Sequence, residues 1–123
     1  MKLAFDLDDC ICSRPDNIEE LGVEKYKRCN PIYSMIKIVN ECYSRGHHIT
    51  IYTARGMTTF SGDVNKIYSE LYNVTINHLN EWGVKFHCLV MGKLDYDLLI
   101  DDKAINSTVI KSIDEINNLL SVK

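Results

Sequence analysis

Several short apolar runs in this chain stop at an acid or a hydroxyl. Leu3-Ala4-Phe5 ends at Asp6, His48 to Tyr52 leads into Thr53, and Asp97 to Ile100 ends at Asp101-Asp102. Phe86 to Met91 is a further run, with Lys93 just past it. Runs this short and β-rich predict buried strands rather than helices. Longer helical patterns lie between them. Pro31 can open a helix, because its missing N–H is not needed in the first turn. Ile32, Met35, Ile36 and Val39 then recur at helical spacing, Cys42 and Tyr43 extend the stripe, and Gly46 ends it. After a loop from Ala54 to Gly62, a second stripe runs through Ile67, Leu71, Val74, Ile76 and Leu79 to Trp82-Gly83. Ile110 to Leu120 predicts a final helix. The segment Asp9 to Asn30 reads as a long polar connection, with a turn at Arg14-Pro15-Asp16 and a short helix near Ile18 to Tyr26.

The order is strand, helix, strand, helix, strand, strand, helix. It predicts an α/β fold: a three-layer, Rossmann-like parallel sheet with helices on both faces. A length of 123 residues fits one domain, 1–123, with no room for a large cap. With 46% hydrophobic and 25% charged residues, the chain can bury a core and is not expected to be disordered. The net charge of −3 comes without any Lys/Arg run, which argues against nucleic acid or an anionic membrane as a partner. Acids precede any long apolar stretch, so neither a signal peptide nor a membrane span is expected, and the cytoplasm is the default location. The five cysteines, Cys10, Cys12, Cys29, Cys42 and Cys88, are irregularly spaced and read as reduced thiols filling apolar space rather than a zinc site.

In open α/β sheets ligands bind at the carboxyl ends of the strands. Asp6, Asp8, Thr53, Asp101 and Asp102 would stand at that rim, with Lys93 close by. Carboxylates gathered there would repel one another unless a cation sat among them, and oxygen ligands suit a hard ion such as Mg²⁺. Asp6 can then attack phosphorus to form an acyl phosphate. Asp8 can serve as acid and base if the chain curls back after the strand. Thr53 and Lys93 can hold the phosphoryl oxygens. Asp101 and Asp102 can complete the metal sphere.

The strings FDLDD, IYTAR, MGK and LIDDKA resemble, in order and spacing, the four signature motifs of the haloacid dehalogenase superfamily. TARGMTTFSGDVNKI and LVMGK…IDDKAI further resemble a capless subgroup of phosphatases described as capsule-biosynthesis phosphatases. The resemblance implies a nucleophile at Asp6, an acid/base at Asp8 and phosphate contacts from Thr53 and Lys93. It implies Mg²⁺ held by Asp6, the Asp8 carbonyl and the final acidic pair, with Asp102 as the direct ligand and Asp101 behind it. Two positions depart from the commonest first motif. Asp9 stands where glycine is usual, and Cys10 where threonine is usual.

Substrate selection is expected from Ala54, Arg55, Arg14 and Asn65, with Thr58, Thr59, Phe60 and Lys66 as further candidates. The four histidines read as packing residues. The expected substrate is a small phosphomonoester of a capsular polysaccharide precursor route: a sugar, polyol or amino-alcohol phosphate. A neighbouring copy could cover the open site. Two other readings share these residues. A phosphoacceptor receiver domain would place its acidic pair early and its phosphorylated Asp in mid-chain, the reverse of the order here. A catalytically idle binding module would have no need of the full acid, threonine and lysine set.

Overall fold

The computed structural model describes residues 1–15 and 24–121. Its centre is a parallel sheet of three strands: β1 (Lys2–Phe5), β4 (His48–Thr53) and β5 (Cys88–Met91), with β4 in the middle. Leu3 pairs with Ile49 and Phe5 with Ile51; on the other side Ile51 pairs with Leu89 and Thr53 with Met91. A two-stranded antiparallel ribbon, β2 (Cys12–Ser13) and β3 (Asn30–Pro31), lies between β1 and the first long helix in the chain. One turn of helix, α1 (Glu24–Lys27), precedes β3. The long helices are α2 (Tyr33–Ser44) and α3 (Val64–Glu81), and the shorter α4 (Ile113–Ser121) ends the described chain.

The helices begin and end for local reasons. Asp63 caps α3, its carboxylate accepting from the Lys66 N–H at 3.2 Å. Gly46 and Gly83 follow the ends of α2 and α3 with φ of 88° and 73°, a conformation that side chains resist. Pro31 does not open α2 as expected. It sits in β3, and the next residue, Ile32, donates its N–H to the Ile11 carbonyl at 2.7 Å. The helix therefore starts at Tyr33. Of the short helix expected near Ile18 to Tyr26, residues 18–23 lie outside the described residues.

Two expectations about the sheet are corrected. Asp97 to Ile100 is not a strand: residues 94–106 are irregular and exposed throughout, with Ile100 90% exposed. Among the described residues, helices do not cover both faces either. Ile49, Ile51, Thr53, Leu89 and Met91 are buried under α2 and α3, whereas Lys2, Ala4, His48, Tyr52, Cys88 and Val90 on the opposite face are exposed. The alternation explains the second correction, because that face carries polar and small residues as often as apolar ones. The final helix packs on α2, on the side already covered. One apolar cluster runs from Leu7 through α2, the sheet and α3 to Ile113. No described helix is long and apolar enough to cross a membrane.

Candidate active site

The site begins where β1 stops. Asp6 accepts a hydrogen bond from the Leu7 N–H at 2.8 Å, which fixes one carboxylate oxygen against the backbone. Beyond it the chain curls tightly: the Leu7 carbonyl accepts from the N–H groups of Cys10, Ile11 and Cys12 at 3.2, 2.9 and 3.1 Å. The curl needs Asp9 at φ 65°, left-handed backbone that explains why glycine is at home in this position. The Asp9 carboxylate is tied to Arg14 in an ion pair. Arg14 thus braces the loop while its side chain stays 44% exposed.

Asp8 lies inside this curl, and Arg55 reaches it from the end of β4. Arg55 Nε donates to Asp8 Oδ2 at 3.2 Å and Nη2 to Oδ1 at 2.9 Å, a two-pronged clamp. The guanidinium is fully enclosed. Nη1 meets the Thr75 hydroxyl at 3.2 Å and His78 Nδ1 at 3.5 Å, both from the inner face of α3. The Tyr26 ring lies 5.0 Å from the guanidinium carbon. Arg55, expected among the residues that select the substrate, is instead only 2% exposed, and its donors face Asp8, Thr75 and His78. Its neighbour Gly56 allows the close approach. Its N–H donates to the Tyr26 hydroxyl at 2.8 Å, and a Cβ there would lie 2.6 Å from Leu71 Cδ1.

Charge divides the two acids. Burial alone would raise the Asp8 pKa, but hydrogen bonds and charge from Arg55, with help from the Cys12 thiol, hold it below the ordinary carboxylate value. Asp6 moves the other way. Desolvation raises it, and the nearby Lys93 charge and the Leu7 N–H only partly offset that. His78 is pushed down by burial and by the Arg55 charge beside it.

Lys93 completes the open side. Its Nζ stands 3.7 Å from Asp6 Oδ2, between the rings of Tyr52 and Tyr96 at 5.7 and 5.5 Å. Gly92, at φ 87°, turns the chain after β5, and the Lys93 N–H then bonds the Thr53 carbonyl at 3.1 Å. Thr53 is 1% exposed, and its hydroxyl oxygen accepts from the Arg55 N–H at 3.0 Å. It shapes the β4 turn and keeps its own proton and a second lone pair. Burial pushes the Cys10 thiol up, with Ser107 of the short 3-10 turn Ser107–Val109 and the charges of Asp6 and Lys93 also acting on it.

Of the remaining candidates, Ala54 is half-buried at the turn and Asn65 is exposed on the first turn of α3. Thr58 bonds Asp95 at 3.0 Å, and Lys66 lies over the Phe60 ring. Asp101 and Asp102 are exposed on the irregular segment, where the Asp102 N–H donates to Asp101 Oδ1 at 2.7 Å. A divalent ion can still be tested against what is present. Mg²⁺ keeps several waters and takes one or two carboxylates together with substrate phosphate. The half-open Asp6 carboxylate, 44% exposed, suits that role, while the Asp8 carboxylate is committed to Arg55.

A second cluster lies behind Asp8. Asp8, Cys12 and Cys29 bring a carboxylate oxygen and two sulfurs within 4.8 Å of one another. Arg55 Nη2 sits among them, 3.8 Å from Cys12 Sγ and 3.7 Å from Cys29 Sγ. Sequence reading took these thiols as plain filler. The Arg55 enclosure by Tyr26, Thr75 and His78 was missed as well. Thr75 and His78 stand three residues apart on one helix face, a polar break in an apolar stripe that could have signalled a buried partner.

No family model matches the chain, and no curated protein matches it. It is similar in structure to a target protein from Vibrio cholerae solved by crystallography. The two share 26% identity at a TM-score of 0.79, over 98% of this chain and 97% of that one. The likeness extends end to end and supports a small Rossmann-like α/β fold; the relative's description gives no activity.

Proposed function

We propose that this chain is a Mg²⁺-dependent phosphomonoester hydrolase that works through an aspartyl phosphate on Asp6. The observation that carries the reading is the pairing of opposites at one rim: an accessible Asp6 facing Lys93, with an enclosed Asp8 two residues on. The motif resemblance supports the same assignment. Lys93 would draw the phosphoryl group toward Asp6 and stabilise charge on its oxygens. An Asp6 oxygen then attacks phosphorus as the bond to the leaving alkoxide breaks.

Asp8 suits the second half of the cycle best. Held as a carboxylate by Arg55, it can accept a proton from the water that attacks the acyl phosphate. A dianionic phosphate beside it would raise its proton affinity, so it can also carry a proton to the leaving oxygen. Asp6, the Asp8 carbonyl and the Asp101-Asp102 pair are the groups that would hold Mg²⁺. The ion would supply charge screening between nucleophile and substrate. The substrate class proposed is a small phosphorylated metabolite, a sugar, polyol or amino-alcohol phosphate of a capsular polysaccharide precursor route.

The test is phosphate release from p-nitrophenyl phosphate and from a panel of such metabolites, with and without Mg²⁺. Many equivalents of phosphate per protein are expected. A single equivalent, retained on the protein, would replace hydrolysis with a stoichiometric phosphoacceptor. No release from wild type under any metal would end the proposal.

A further inference from the structure

Cys12 and Cys29 are separated by a long stretch of sequence, yet the β2–β3 ribbon brings them together. Cys12 pairs with Pro31, and Cys29, two residues before Pro31, shares its face of the ribbon. The sulfurs therefore sit diagonally across one small ribbon, within 4.8 Å of each other. Both also point at the same carboxylate. Cys12 Sγ donates to Asp8 Oδ1 at 3.4 Å, and Cys29 Sγ lies 3.7 Å from the same oxygen, with the Lys25 carbonyl as its closer acceptor at 3.4 Å. Cys12 is fully buried, and Cys29, 8% exposed, lines the wall of a surface cavity of about 340 Å³ together with Lys27, Asn30, Pro31, His78 and Trp82. That cavity is the route by which a small oxidant would approach Cys29. The fold thus supplies a thiol at a cavity wall, an enclosed partner for it, and a shared contact to Asp8.

We propose that Cys12 and Cys29 form a reversible disulfide in response to hydroperoxides, and that the bond withdraws the Cys12 thiol donor from Asp8. In the first step Cys29 Sγ attacks one oxygen of the hydroperoxide. The S–O bond forms, the O–O bond breaks, and the corresponding alcohol leaves with the thiol proton, giving a sulfenic acid. Cys12 Sγ then attacks the Cys29 sulfur. The S–S bond forms, the S–O bond breaks, and water leaves with the Cys12 proton. Two electrons pass from the thiols to the hydroperoxide. The product sulfurs have no hydrogen to donate, so Asp8 keeps Arg55 and loses the Cys12 donor. A soft metal ion is a weaker occupant, because the Arg55 guanidinium already stands among these groups.

The crosslink itself is independent of the phosphatase reading; its effect on turnover rests on that reading. The test treats the reduced full chain with hydrogen peroxide, counts thiols after denaturation, and maps the linked peptides. Five thiols should fall to three, with one peptide pair joining Cys12 to Cys29. A dithiol reductant should restore all five, and p-nitrophenyl phosphate turnover should fall and recover in step. Cys29→Ser should abolish the crosslink, while Cys42→Ser and Cys88→Ser should leave it intact. Cys29 stands nearer the surface than Cys12, so its variant keeps the test open if Cys12→Ser fails to fold. An unchanged thiol count overturns the inference. So does a link to another cysteine, overoxidation of one thiol without a link, or protection of both thiols by one equivalent of Zn²⁺. A clean crosslink in a protein with no turnover when reduced would instead overturn the phosphatase reading alone.

Discussion

Asp8 and Asp101 both follow a short apolar run in the sequence, and the fold places them in opposite surroundings. Asp8 is enclosed by a loop whose backbone folds around the Leu7 carbonyl and by a guanidinium held from three sides. Asp101 stands in water on a segment whose apolar residues, Leu98, Leu99 and Ile100, are exposed as well. The difference lies in what each run can pack against. Leu7 and Ile11 enter the core with Ile36, Val39 and Ile51, so their burial fixes everything between them. Leu98, Leu99 and Ile100 stand outside that cluster, 76%, 49% and 90% exposed. Acid position in a sequence therefore says less than the partners that hold its neighbours.

The largest effect expected from breaking this contrast is at Asp6. Asp6→Asn should cut turnover by on the order of a thousandfold or more. It should also raise the melting temperature at neutral pH. Burial raises the Asp6 pKa, so its ionised form opposes folding above that pKa and the opposition vanishes as the acid is protonated. Lower melting temperature at neutral pH, with turnover intact, would remove Asp6 from the site.

Arg55 comes next. Arg55→Met leaves Asp8 buried without its cation and should cost about 3–5 kcal/mol in urea unfolding. Arg55→Lys should recover only part, since an ammonium cannot supply the two-pronged contact. The pH dependence follows from the lowered Asp8 pKa. Its stabilisation is fully present above the unfolded value near ~3.9 and is lost as pH falls through the folded value. In Arg55→Met the Asp8 contribution to that acid limb should shrink or change sign, because burial then outweighs the Cys12 and Arg14 contributions that remain, and a raised pKa makes stability fall as pH rises. An unchanged acid limb in this variant would show that Asp8 is not governed by Arg55.

Smaller changes are expected in the exposed segment. Asp101→Asn and Asp102→Asn should alter stability by no more than about 0.5 kcal/mol. They should raise the Mg²⁺ concentration needed for half-maximal turnover if the pair reaches the metal during catalysis. Chelation of divalent ions should abolish turnover in the wild type, and an unaffected rate would rule out the metal. Smallest of all is Ile100→Ser, expected within about 0.5 kcal/mol of wild type. A loss of 2 kcal/mol or more would mean that residues 97–100 are buried in solution as a fourth strand.

Much of the α/β pattern could be read in advance because periodicity reports burial directly. Ile67, Leu71 and Leu79 lie on the buried face of α3, and the strand at His48 came within one residue of its observed end. The same logic misread Asp97 to Ile100, since three apolar residues in a row do not say whether any surface remains to receive them. In the site, Asp6 and Lys93 are brought together as their positions suggested, and the curl after β1 is present. The part that could not be read was how a side chain is used once placed. Arg55 follows a strand end just as a substrate-binding residue would. Only the inward contacts of Tyr26, Thr75 and His78, from segments distant in sequence, turn it toward Asp8.

Asp9 has a consequence for how this loop can change over evolutionary time. A non-glycine residue at φ 65° carries a cost of roughly 1 kcal/mol, borne here in the loop that follows Asp6 and steadied by Arg14. Mutation to glycine is thus the easy direction, relieving the backbone while cutting the loop free of its tether. A lineage that retains Asp9 keeps Arg14 under selection with it, so the two positions should drift together or not at all.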